Sequence, residues 1–377
     1  MAGIYIHIPF CRRKCHYCNF FSLASSKFID SFVESLLLEI KLEASYLGVE
    51  TVETIYFGGG TPSLLPPLSI EKILDAVRDH FPLSRSPEIT LEANPDDLNS
   101  VYLQAIHDTG INRLSIGVQS FFDEDLKFLN RTHSAESAEN SVRAAKEAGF
   151  SNLSIDLIYG IPGLTADRWE QNLDKSILLE VPHISSYALT VEKHTALDLF
   201  IRQQKVAAPD EEQSVAHFRL LMDKMKKAGF LHYEISNFCK EGSLSIHNSN
   251  YWKGFPYLGL GPSAHSFNER SRKWNLSGLA AYIENIRSGA PFSEKETLTA
   301  TQPFNEYVMT SLRTMWGCSK QKIISDFGFQ ISDFFSGQAE KFIAQGLIKE
   351  ISGIYYLTDE GKLFADGIAS NLFLVEP

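Results

Sequence analysis

Cysteine is scarce in this chain, with five in 377 residues, an odd number of which three fall within eight positions. That set is a poor basis for a secreted disulfide framework, whereas reduced thiols holding a metal fit it well. The opening residues MAGIYIHIPFCRRKC lack a basic start followed by a long apolar segment, and no run of about eighteen apolar residues occurs anywhere. A soluble, cytoplasmic protein without a transmembrane segment is the expectation. Low-complexity tracts and solenoid repeats are also missing. The formal net charge of −11 argues against a surface that tracks phosphate backbones. From Ala300 onward acidic residues outnumber basic ones, so nucleic acid is not an expected partner.

With 44% hydrophobic residues the chain can bury a sizeable core and is expected to form one large unit and a smaller one. Short β-rich runs at Tyr5–Ile8, Thr54–Phe57, Ile89–Ala93, Arg113–Val118, Leu153–Ile158 and Ile184–Leu189 alternate with helical patterns. Among the helices are Phe28–Tyr46 and Ala135–Ala148, the second stopped by Gly149. Right-handed crossovers curl six such units toward a full or partial barrel, or spread them as an open doubly wound sheet. Either way function gathers at the strand ends, and CRRKCHYC, GGGTPS and NPDD each follow a strand. The βα rhythm fades after about residue 265, and the polar stretch Ser288–Gln302 reads as a connection. Beyond it, Phe304–Met315, Lys320–Phe327 and Gly337–Gln345 read as helices. Ile348–Ile351 and Ile354–Leu357 read as a hairpin turning at Ser352–Gly353. The expected division is residues 1–290 as core and 300–377 as a winged-helix-like module.

Cys11, Cys15 and Cys18 form C-x3-C-x2-C on a loop leaving the first strand, a spacing that lets three thiolates meet three corners of a [4Fe–4S] cluster. The fourth iron then lacks a cysteine and can chelate the amino and carboxylate groups of S-adenosylmethionine (SAM). Zinc is the competing reading; it needs a fourth tight ligand, which His7 or His16 would supply. Arg12, Arg13 and Lys14 could offset cluster charge, attract an anionic electron donor, or form a solvated basic patch. Gly58–Gly59–Gly60 let backbone groups approach a ligand, but no Lys-Ser or Lys-Thr pair follows, which excludes a phosphate-cradling P-loop.

Taken in order, YIHIPFCRRKCHYC, FGGGTPS, EANPDD, RLSIGVQSF, LNRTH and IDLIYGIPG resemble the radical SAM family of oxygen-independent coproporphyrinogen III oxidase and its relatives. The resemblance implies an α/β fold, a partial (β/α)6 radical SAM barrel with the small module behind it. For the cofactor site it implies Tyr5 and Glu92 near SAM, and Gly59, Gly60 and Thr61 along its methionine part, while Tyr17, between the second and third cysteines, suits an aromatic packed against the adenine. It places Gln119, Arg131 and Asp156 further round, and Ala188 against adenosine. The oxidase proper has a further cysteine two positions after the third and a longer N-terminal segment. Here Asn19 and Phe20 follow Cys18, and the cluster motif starts close to Met1. Those departures turn the expectation away from porphyrinogen decarboxylation, which remains the alternative. HNSNYW at His247–Trp252 is similar to the H-N-x-x-Y-W signature of the sister group, the HemW-type haem chaperones. That likeness implies haem as a ligand, a haem-acceptor protein and an electron donor as partners. Tyr233, Cys239, His247, Tyr251 and His265 are all chemically able to ligate haem iron, and His247 is the preferred one.

Overall fold

Parallel strands covered on both faces usually read as unbroken apolar runs. Here they alternate. Ile4, Ile6 and Ile8 alternate with Tyr5 and His7; Ile89, Leu91 and Ala93 with Glu88, Thr90 and Glu92; Leu153, Ile155 and Leu157 with Ser154 and Asp156. The apolar set joins one large core with the surrounding helices, including Ile29–Leu42 and Pro67–His80. The other set is left facing a polar lumen.

The computed structural model describes residues 1–375. Six strands, β1 (Ala2–Ile8), β2 (Val52–Gly59), β3 (Leu83–Ala93), β4 (Arg113–Gln119), β5 (Asn152–Tyr159) and β6 (His183–Ala188), pair in parallel in sequence order. This is the expected βα succession. Beyond β6, β7 (Leu231–Glu234) and β8 (Asn237–Cys239) continue antiparallel, with β8 against β6. On the other side of β1 lies a seventh parallel strand, β9 (Tyr257–Leu260). It is followed by antiparallel β10 (His265–Phe267), β11 (Ser271–Asn275) and β12 (Ser293–Thr297), making a twelve-stranded sheet.

The polar stretch expected as a simple connection thus contains the sheet's last strand. Its Ser-Glu-Lys-Glu-Thr sequence is almost wholly exposed, the charged composition of a strand with a free edge. A second apolar cluster holds the C-terminal region together, with Phe304, Val308, Phe335 and Tyr355 at its centre. It comprises helices Gln302–Leu312, Lys320–Phe327 and Phe329–Ala344, a three-stranded sheet (Cys318–Ser319, Ile348–Ile351, Ile354–Leu357) and helix Ala365–Asn371. The last two residues of the expected 300–377 module lie outside the described ones. The third helix starts eight residues earlier than the sequence suggests, because Gly337 lies within it, where a Cβ would meet open space. Ser352 and Gly353 both adopt positive φ, 53° and 77°, the backbone of the tight turn expected there.

Candidate functional site

The cysteine loop leaves β1 at its C-terminal end and is pinched shut at its base. Cys11 N–H donates to Leu23 O at 3.0 Å, and Leu23 N–H to Pro9 O at 2.8 Å. Asn130 Nδ2 donates to Lys14 O at 2.8 Å, and Leu197 N–H to His16 O at 2.8 Å, docking the loop onto two neighbouring segments. All three cysteines are free thiols, partly exposed. Thr61 Oγ1 lies 3.6 Å from Cys11 Sγ, and Arg131 Nη1 donates to Cys15 Sγ at 3.3 Å. Burial raises the Cys18 thiol above its usual range, with the neighbouring Cys15 and Cys11 adding to the effect. Among the described residues, no group of three or more His, Cys, Asp or Glu is placed to hold a metal ion.

Of the histidines offered to zinc, His7 is committed through both ring nitrogens and His16 through one. His7 bonds Tyr5 Oη through Nδ1 at 3.1 Å and Phe21 O through Nε2 at 2.9 Å, and His16 Nδ1 bonds Phe128 O. Arg12 pairs with the buried Asp97 at 2.6 Å, so the second aspartate of NPDD has a structural partner in the cysteine loop.

Glycines at the end of β2 answer to the chain's own packing. A Cβ on Gly59, which has φ +107°, would stand 2.6 Å from the His7 ring, and one on Gly60 would stand 2.5 Å from Phe10 O. The missing side chains let the end of β2 pack closely against His7 and Phe10.

Glu92, at the end of β3, accepts from Tyr56 Oη at 2.8 Å, and burial with the nearby Asp156 charge pushes its carboxyl up to about 7. Burial also raises Asp156, against hydrogen bonds from Ser185 and Ser115. Tyr5, stacked on Tyr56 at 6.2 Å, is raised by burial and by Glu92. Arg131 donates to Asn94 Oδ1 at 2.6 Å and Gly117 O at 2.9 Å, while its buried Nε has no hydrogen-bond partner among the described residues. Gln119 neighbours it across Gly117 and holds a left-handed backbone (φ 64°), strain typical of a functional position. Tyr17 sits by Arg131, Cys15 and Cys18. Ala188 ends β6, exposed, with Tyr159 as its strand partner. Tyr5, Glu92 and Asp156 therefore share the lumen, and Tyr17, Gln119 and Arg131 adjoin the cysteine loop.

His247 lies at the other end of the lumen, beside Gly3, Thr54 and Tyr56. Gly3 and Ile8 are five positions apart on β1, roughly 16 Å of strand. Thr54 Oγ1 bonds His247 Nδ1 at 2.8 Å, and the ring stacks on Tyr56 at 4.9 Å. Among the described residues Nε2 makes no hydrogen bond. Burial, reinforced by Arg113, pushes the imidazole down to about 3, so it is neutral at physiological pH. The helix that carries it, Ile246–Trp252, is capped by Glu88, whose two oxygens accept from Ile246 N–H at 3.1 Å and His247 N–H at 2.9 Å. Glu88 in turn faces the fully buried Arg113 at 4.0 Å.

Two of the other proposed iron ligands are enclosed. Tyr233 is buried with its hydroxyl 2.7 Å from His183 Nε2, and Cys239 is buried with a thiol raised to about 11 by desolvation. Tyr251 and His265 are exposed. Sequence reasoning missed Arg113, Glu88, Thr54 and Tyr56; a polar residue at every second position of a parallel strand was the available signal.

The Radical SAM superfamily model matches residues 5–175, and the HemN C-terminal domain model matches residues 298–364. The heme chaperone HemW of Bacillus subtilis (strain 168) is 34% identical over 371 residues, covering 98% of each sequence. That of Escherichia coli (strain K12) is 33% identical over 377 residues, 99% of this chain and 98% of the other. The solved structure of coproporphyrinogen III oxidase (HemN) from Escherichia coli, described as a radical SAM enzyme, covers 99% of this chain and 90% of that one. It gives a TM-score of 0.85 at 22% identity, a likeness of fold alone. The alternating polar lumen, the cysteine loop at its mouth and the HNSNYW helix at its floor thus belong to a chain that is a member of the HemW family within the radical SAM superfamily.

Proposed function

We propose that this protein is a haem chaperone, which takes haem iron on His247, hands the haem to an acceptor protein, and carries a [4Fe–4S] cluster on Cys11, Cys15 and Cys18. The observation that carries the haem reading is the state of His247. A neutral imidazole is the form that ligates iron, its orientation is fixed by a hydrogen bond at Nδ1, and Nε2 makes no hydrogen bond among the described residues. The names of the full-length relatives, heme chaperones, point the same way.

By the chemistry of its donors, though not by a metal-holding arrangement of the three sulfurs, the cysteine loop also suits the cluster. Three free thiols share one loop, Thr61 and Arg131 reach two of the sulfurs, and Arg131 Nε is a buried donor without a hydrogen-bond partner among the described residues. When bound, the cluster supplies an iron able to chelate SAM and an electron for reductive cleavage. Glu92 and Asp156 accept hydrogen bonds from the ammonium and hydroxyl groups of SAM, and Tyr5, Tyr17, Gln119 and Ala188 shape its enclosure. Gly59, Gly60 and Thr61 follow its methionine part through backbone groups and the threonine hydroxyl. In this reading residues 1–290 hold the cofactors and 300–377 form a separate module. No helix among the described residues is long and apolar enough to cross a membrane, and a cytoplasmic site of action is part of the proposal.

Anaerobic titration of the reconstituted protein with haemin, followed at the Soret band, tests the function. Saturable binding weakened in His247→Ala is the expected result. Undiminished binding in that variant rejects His247 as ligand, and failure to bind haemin in either redox state rejects the function.

A further inference from the structure

Beside the cysteine loop lies a basic hollow on an otherwise acidic protein. It is a cavity of about 250 Å³, lined by Arg13 from the loop and by Asp123, Lys127, Asn130, Arg131 and Ser134 from the segment that packs against it. Its wall is stitched to the loop by three hydrogen bonds. Asn130 Nδ2 donates to Lys14 O at 2.8 Å, His16 N–H to Leu129 O at 3.2 Å, and Arg131 Nη1 to Cys15 Sγ at 3.3 Å. Arg131 therefore forms part of the cavity and also touches one of the three sulfurs.

Most of the positive charge there is uncommitted. Of the three cations in CRRKC, Arg12 is spent on the buried Asp97 at 2.6 Å. Arg13, Lys14 and Lys127 are exposed and form no ion pair among the described residues. Asp123 is the one acidic side chain lining the cavity. Its Oδ1 accepts Ala135 N–H at 2.7 Å, at the start of helix Ala135–Glu147, where the backbone dipole offsets its charge. The adjacent Glu124 is paired with Arg168 at 2.8 Å. Arg13, Lys127 and Arg131 against Asp123 leave a local positive excess on a chain whose net charge is −11.

A cluster of unpaired cations attracts an anionic partner and steers its approach. The exposed cations mark the side of the loop open to such a partner, and a cluster held by this loop has to receive its electron from another molecule. We propose that the cavity and its rim are the docking surface for an acidic one-electron carrier protein, a carboxylate of which enters between Arg13 and Lys127. One electron passes from carrier to cluster; the carrier is oxidised, the cluster is reduced, and no bond forms or breaks. This rests on the cluster reading above and adds the partner's place to it. It also divides the work within CRRKC, where Arg12 anchors the loop and Arg13 and Lys14 face the partner.

The experiment mixes the anaerobically reconstituted, full-length protein with a pre-reduced ferredoxin of acidic surface and follows ferredoxin reoxidation by stopped flow. Photoreduction by 5-deazariboflavin, small and uncharged, is the reference, and calorimetric titration with oxidised ferredoxin measures binding without electron transfer. Wild type is compared with Arg13→Glu/Lys127→Glu, with Lys127→Glu, and with Lys349→Glu, which makes the same charge change at an exposed position of the C-terminal sheet. The wild-type rate should fall about tenfold as salt rises from low to roughly 0.5 M. The double variant should react with ferredoxin, and bind it, about tenfold or more weakly, with cluster content and the deazariboflavin rate unchanged, while Lys349→Glu behaves as wild type. A salt-independent wild-type rate, a double variant as fast as wild type, or an equal loss in Lys349→Glu overturns the docking surface. Equal slowing with deazariboflavin marks a change at the cluster itself and overturns it as well. A wild type that assembles no cluster, or one that deazariboflavin does not reduce, defeats the cluster reading instead. Should the double variant fail to assemble its cluster, Lys127→Glu, which lies off the cysteine loop, must by itself slow the ferredoxin reaction; an unchanged rate there refutes the surface.

Discussion

Glu88 and Arg113 offer the sharpest test of the lumen as a built electrostatic site. Their side chains are 3% and 1% exposed, with carboxylate and guanidinium 4.0 Å apart. Glu88 also receives two backbone N–H groups from the first turn of the His247 helix. Glu88→Gln removes the charge facing Arg113 and replaces one acceptor by a donor, so one helix N–H loses its partner. Because Arg113 also feels the Asp156 and Glu92 carboxyls, losing Glu88 costs at most the about 3–5 kcal/mol of a buried ion left unpaired, and the unsatisfied N–H adds about 1–3 kcal/mol. The same change frees the helix end that carries His247, so haem affinity should fall with stability. Denaturant unfolding of Glu88→Gln, Arg113→Met and the Glu88→Met/Arg113→Met pair reads this out. Each single variant should lose several kcal/mol, and the double apolar variant should be more stable than either single one. A Glu88→Gln protein as stable as the wild type would refute the reasoning.

Three further outcomes follow from the same geometry. Thr54→Val keeps the shape of a fully buried side chain but removes the hydroxyl at His247 Nδ1, and should weaken haemin binding about fivefold to thirtyfold, the equivalent of 1–2 kcal/mol, with a small change in unfolding midpoint. Glu92 has a folded-state value of about 7 against 4.5, so the stability it contributes is full below about pH 4.5 and is lost as pH rises through 7, about 3 kcal/mol in all; thermal melts of the cofactor-free protein should show that decline, and Glu92→Gln should flatten it. Because burial and Arg113 hold His247 near 3, haemin affinity should stay level from pH 8 down to 5, and a drop centred near pH 6.5 would mean that the ligand is an ordinary exposed histidine.

The six parallel strands, and the loop after the first of them that carries Cys11, Cys15 and Cys18, were legible because each depends on local order: β runs alternating with helical periodicity and turn-forming residues between them. The Ser352–Gly353 turn was legible for the same reason. What stayed hidden was set by partners far apart in the chain. Arg113 and Glu88 are neighbours only through the lateral pairing of β3 and β4, and β9 is parallel to β1 across some 250 residues of sequence. The edge strand Ser293–Thr297 gave no hydrophobic alternation, because it buries almost nothing. Gly337 read as a helix start because glycine weakens helices, yet packing on either side of it carried the helix through. At Gly59 and Gly60 the residue type stood out, but the packing against His7 and Phe10 that forbids a Cβ was set by distant contacts.

The account stands most directly on the chemistry of Cys11, Cys15 and Cys18, and anaerobic reconstitution followed by Mössbauer and electron paramagnetic resonance spectroscopy measures it. The expected result is iron and sulfide in cubane stoichiometry, with one iron whose spectrum shifts when SAM is added and with cluster assembly abolished by Cys15→Ala. Uptake of zinc in place of iron and sulfide, or a cluster indifferent to SAM, would contradict it.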